Sequence, residues 1–104
     1  MILKNRNKLV RDKIPEIIKL NEGKRSITHV ANDEEYWRKI KEKLQEEVKE
    51  FLESEAMEEC VDILEVIDAI CDYKNFSKEK LIALKSKKYE ERGGFKKRII
   101  LEKI

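Results

Sequence analysis

Glycine and proline are nearly missing from this chain, at three and one in 104 residues. A many-stranded sandwich or barrel needs more turn residues than that, so the composition predicts helices. Histidine is scarcer still: His29 stands alone, and Cys60 and Cys71 are the only cysteines. That excludes a zinc site built from clustered Cys and His. Both cysteines fall on one expected helix. A rise of about 1.5 Å per residue puts them beyond disulfide reach of each other. Long apolar runs are absent too, the longest stretch without a charge being the seven residues Ser26 to Asn32. A spanning helix takes about 20 apolar residues, and a signal peptide needs an apolar run of roughly 7–15. The expectation is a reduced, cytoplasmic protein without membrane contact, forming a single domain over residues 1–104. No glycine-rich phosphate loop is present either.

What the chain has in abundance is charge, at 44% of residues, with a net value of only +2. The charges are segregated. From Glu42 to Asp72 there are twelve acidic residues and two basic ones, whereas the remainder carries 22 basic and ten acidic. Opposed solvated faces would explain this. So would a metal-binding centre with cationic side chains around it for a phosphorylated ligand.

The pattern predicts an all-α, four-helix-bundle-like fold with an antiparallel central hairpin. Lys4 to Lys13 is basic and extended, and Pro15 suits the first turn of a short helix that Gly23 ends. Asn32 or Asp33 caps a second helix to about Glu53, with Trp37, Ile40, Leu44, Val48 and Phe51 at helical spacing. A third helix runs from about Glu55 to Tyr73. A fourth starts at Ser77, with Phe76 and Leu81 as a hydrophobic staple, and stops at Gly93 and Gly94. The β-branched tail, Phe95 to Ile104, is a candidate strand to pair with Ser26 to Val30. Trp37 and both cysteines read as core, and His29 has no partner pattern for catalysis.

The third helix carries Glu58, Asp62, Glu65, Asp68 and Asp72 within an arc of roughly 120°. Most of its remaining surface is apolar, which predicts a central, largely buried helix. Each like-charge neighbour costs about 0.2–0.5 kcal/mol. Basic flanks, another subunit or bound cations must neutralise the stripe. A turn centred between Ser54 and Glu55 sets Glu50 opposite Glu59 and Glu47 opposite Asp62. Each helix contributes an i,i+3 pair, so four carboxylates converge. Desolvated like charges cannot all stay ionised. Hard divalent ions such as Mg²⁺ or Mn²⁺ answer that, because they take oxygen ligands.

These residues resemble a known family. Glu46-Glu47-Val48-Lys49-Glu50 followed by Glu59-Cys60-Val61-Asp62 is similar to the EExxE…ExxD signature of the all-α nucleotide pyrophosphohydrolases. That superfamily comprises the MazG-like and phosphoribosyl-ATP pyrophosphatase-like proteins. The segments Lys8-Leu9-Val10-Arg11-Asp12-Lys13-Ile14-Pro15 and Lys88-Tyr89-Glu90-Glu91-Arg92-Gly93-Gly94-Phe95 also look like one branch of it. The resemblance implies hydrolysis of a nucleoside triphosphate to the monophosphate and pyrophosphate, in a house-cleaning role on non-standard or surplus nucleotides. It implies Mg²⁺ held by Glu47, Glu50, Glu59 and Asp62, and assembly as a homodimer or homotetramer. The eight residues between Glu50 and Glu59 are fewer than in many members. The pattern expected around a phosphoribosyl-ATP pyrophosphatase of histidine biosynthesis is not seen, which leaves that enzyme as an alternative.

Lys8, Arg11, Lys13, Lys88 and Arg92 are the candidate phosphate-binding residues. Guanidinium groups pair bidentately with phosphate, although Arg11 and Arg92 could equally make structural ion pairs. Glu46 or Glu50 is the candidate proton acceptor, so Glu46, Glu47 and Glu50 form the catalytic set. Two rivals come from other classes. One is a non-enzymatic helical interaction module whose acidic stripe docks a basic partner. The other is a nucleic-acid-binding protein, disfavoured by the near-neutral charge and the absence of a binding motif.

Overall fold

The computed structural model describes residues 7–104. It is all-α, with four helices: α1 (Ile14–Glu22), α2 (Asp33–Ser54), α3 (Met57–Lys74) and α4 (Lys78–Arg92). Of the basic segment expected to be extended, Lys4 to Arg6 lies outside the described residues, and residues 8–11 have no regular structure. None of the helices is long and apolar enough to cross a membrane.

Local chemistry accounts for the boundaries. Pro15 sits in the first turn of α1, where an N–H would have had no intrahelical partner. Gly23, at φ +67°, closes that helix by donating its N–H to the Lys19 carbonyl at 2.9 Å. At the start of α2 the Asn32 side chain accepts from the Glu35 N–H, and at α4 the Ser77 hydroxyl accepts from the Lys80 N–H. The link between α2 and α3 lies later along the chain, and is one residue longer, than the sequence pattern suggests. Glu55, expected inside the third helix, takes the left-handed conformation at φ +55° and donates its N–H to the Phe51 carbonyl. Only Glu55 and Ala56 separate the two helices.

The chain divides into two compact units, residues 1–70 and Cys71–Ile104, with the boundary inside α3. In the first, Ile40 and Val66 are buried, and so is one charged residue, Glu47. In the second, Cys71 is buried.

Three expectations need correction. α3 is not enclosed: Met57, Val61 and Leu64 are exposed. Most of α3 lies in a unit whose other helices, among the described residues, are α2 and the nine-residue α1, too little surface to surround an apolar helix. No β pairing forms among the described residues. Ile27, Val30, Ile99, Ile100 and Leu101 lie exposed, and β-branched composition supplies no ladder partner for their backbone groups. Cys60 is exposed rather than core, while Cys71 is buried as expected; both are free thiols.

Candidate metal centre

The hairpin of α2 and α3 builds the site. Helical phase, set at Asn32, turns Glu47 inward on the same side as Ile40, and Glu47 is 5% exposed. The two-residue link then reverses the chain, and the Glu59 N–H donates to the Ala56 carbonyl at 3.1 Å as α3 begins. Glu59 and Asp62, one turn apart, thereby face Glu47. One carboxylate oxygen from each of Glu47, Glu59 and Asp62 lies within 4.8 Å of the others. Glu46, Glu47 and Glu50 form a second such group on α2 alone. Glu47 is common to both groups, and Glu50, of the α2 group, neighbours Glu59, of the other.

Electrostatics divides these acids into two kinds. Burial raises the pKa of Glu47, the adjacent Lys43 opposes that, and the charges of Glu50, Asp62 and Glu46 add to the rise. Glu59 is raised as well, by desolvation and then by the charges of Glu50 and Asp62. The Glu59 carboxyl also hydrogen-bonds Glu50, which requires a shared proton and favours the neutral acid. Glu46 differs. Its partial burial pushes upward, but hydrogen bonds and charge from Lys8 and Lys43 overcome this and hold the pKa low.

Glu47 Oε2 and Glu59 Oε2 are buried without a hydrogen-bond partner. Leaving such atoms unpaired is costly, and it is uncommon in folded proteins. Two lone-pair donors on facing helices, with further carboxylates beside them, are the donor set that hard divalent ions take. No thiol or imidazole belongs to either group.

The expected phosphate binders meet different fates. Lys8 pairs with Glu46, which also accepts from Lys43 at 2.9 Å. Arg11 reaches from the N-terminal segment to Asp62 (2.7 Å) and Glu65 (3.6 Å). The basic flank thus neutralises part of the α3 stripe, one of the routes expected for it. Lys13 occupies the N-cap position of α1 without capping it. Lys88 and Arg92 belong to α4, in the other unit. Lys43 escaped the sequence reading although its i,i+3 spacing to Glu46 was visible. Glu65 was legible as part of the acidic stripe, but its partner Arg11 was not, being 54 positions away. His29 bonds Glu35 through Nε2 at 2.9 Å, outside both acidic groups.

No protein-family model matches this chain, and no curated protein or solved structure is significantly similar to it.

Proposed function

We propose that this protein is a divalent-metal-dependent nucleoside triphosphate pyrophosphohydrolase that yields the monophosphate and pyrophosphate. The observation that carries the reading is the pair of buried, unpartnered oxygens of Glu47 and Glu59, set among further carboxylates on two facing helices. Glu47, Glu50, Glu59 and Asp62 would hold Mg²⁺ or Mn²⁺. Held there, such an ion would supply Lewis acidity for the water and the phosphates. The protein's own contribution is to hold these carboxylates close together, so that no reorganisation is needed when the ligand arrives.

Of the two candidate proton acceptors, Glu46 is the weaker, since Lys8 and Lys43 stabilise its ionised form. Glu50 has no such pair of lysines and already shares a hydrogen bond with Glu59. Non-standard or surplus nucleotides are the substrate class that the signature motifs support. A homodimer or homotetramer in the cytoplasm is the corresponding assembly, favoured by the exposed Leu52, Met57, Val61 and Leu64 on the hairpin.

The test is pyrophosphate release over a nucleotide panel with Mg²⁺ or with EDTA, for wild type, Glu47→Gln and Asp62→Asn. Turnover that needs Mg²⁺ and is lost in both variants is expected. Activity persisting in EDTA, or unchanged by both substitutions, sinks the reading and leaves the acidic docking module in its place.

A further inference from the structure

We infer that the exposed face of α3 receives residues 95–104 of a second copy of this chain, the two copies exchanging these segments. Met57, Val61, Leu64 and Asp68 recur at i, i+4, i+7 and i+11, so they share one side of the helix. Met57, Val61 and Leu64 are 77%, 52% and 64% exposed. Acids rim this strip, and two of them, Glu58 and Asp68, make no ion pair among the described residues. The face is therefore both apolar and short of positive charge. Residues 95–104 have the complementary character. Phe95, Ile99, Ile100, Leu101 and Ile104 are each at least 75% exposed, and residues 99–104 carry no regular structure. Lys96, Lys97, Arg98 and Lys103 stand against a single acid, Glu102, and none of the four makes an ion pair among the described residues.

Charge and reach select the occupant. A two-fold contact of α3 with α3 would bring the same acidic rim to both sides, and like charges facing each other cost affinity. A basic, apolar segment meets that face with opposite charge and covers its apolar strip at the same time. Six extended residues reach about 20 Å, and α3 from Met57 to Asp68 rises about 17 Å, so residues 99–104 suffice to span the strip. An anionic lipid surface favours a basic amphipathic helix, and residues 95–104 form none.

The inference rests on the assembly proposed above and deepens it, but it needs neither metal nor hydrolysis. The test is sedimentation velocity of the full chain in EDTA at about 0.15 M salt, together with the rate at which a thiol reagent modifies Cys60. Cys60 is exposed one turn before Leu64, and Cys71 is buried, so that rate reports cover over α3. As concentration rises the chain should dimerise, and Cys60 should slow in step. Ile100→Asp should weaken the dimer at least roughly tenfold and return Cys60 to its monomer rate. Lys97→Glu with Arg98→Glu should weaken it about tenfold as well, and so should Glu58→Lys with Asp68→Lys. Combining the two charge reversals should recover most of the affinity, which misfolding would not do. A dimer indifferent to Ile100→Asp, or a combined variant without recovery, overturns the inference and leaves the assembly standing. A chain that stays monomeric overturns both. Binding of the monomer to phosphatidylserine–phosphatidylcholine vesicles, lost in Ile100→Asp, would overturn it in favour of a lipid surface. A dimer that depends on residues 95–104 but releases no pyrophosphate from any triphosphate fails only the hydrolase reading.

Discussion

The hairpin and the turn after α4 handle charge in opposite ways. In the hairpin, opposite charges meet: Lys8 and Lys43 hold Glu46, and Arg11 holds Asp62 and Glu65. One carboxylate oxygen each of Glu47 and Glu59 is nevertheless left buried without a hydrogen-bond partner. In the turn after α4, Arg92, Lys96, Lys97 and Arg98 lie close together, and none makes an ion pair among the described residues. The difference teaches that net charge is a poor guide to function here. A chain of +2 contains one region that is short of cations and another that is short of anions.

The sharpest way to break that contrast is to supply the missing cation. Mn²⁺ at a hundredfold over its Kd should stabilise the wild type by about 2.7 kcal/mol, read as a rise in Tm. Glu47→Gln and Asp62→Asn should lose most of that rise, and equal shifts in all three would show that the ion binds elsewhere. Next in size, Gly93→Ala should cost about 1–3 kcal/mol locally, because its φ and ψ suit glycine alone. Hydrogen exchange should report it as lost protection at the end of α4, with the hairpin unaffected.

The pH dependence is a smaller and more diagnostic effect. Glu47 and Glu59 have raised pKa values in the folded chain, so folding favours their protonated forms. They therefore cost no stability below the ordinary value of 4.5, and destabilise progressively as pH climbs from there through their raised pKa values. Glu46 runs the other way, stabilising above its ordinary pKa and losing that contribution as pH falls through the lowered one. In metal-free protein, Glu59→Gln should flatten the decline above 4.5, since an amide can donate to Glu50 at any pH. A urea titration series across pH measures this, and an unaltered slope would contradict the assignment. The smallest effect belongs to Arg11→Ala. Its pairs are largely solvent-exposed, and their loss should cost less than about 1 kcal/mol.

Much of this was legible from the chain. Asn32, Ser77, Gly23 and Gly93 marked helix ends because capping is a local event, decided by a side chain or a φ value within a few residues. The approach of Glu59 and Asp62 to Glu47 was legible for a related reason, since two regular helices and a very short link leave little freedom. Partner choice was not. Arg11 lies 51 positions from Asp62, and no periodicity says which of many cations a given acid will meet. The exposure of Met57, Val61 and Leu64 was hidden as well, because an apolar face signals only that burial is favourable and carries no count of the elements available to cover it. The tail misled through its composition, as Ile99 and Ile100 favour strands but form none among the described residues.

The link of Glu55 and Ala56 carries a consequence for how this chain can vary. An α-helix turns about 100° per residue, so inserting or deleting one position there would rotate α3 and swing Asp62 and Glu59 away from Glu47. Substitutions at Glu55 should be easy to accommodate, above all glycine, which takes its backbone conformation without strain. Changes of length should be eliminated, so among descendants of this sequence the tightest constraint on the hairpin falls on a spacing and not on any side chain.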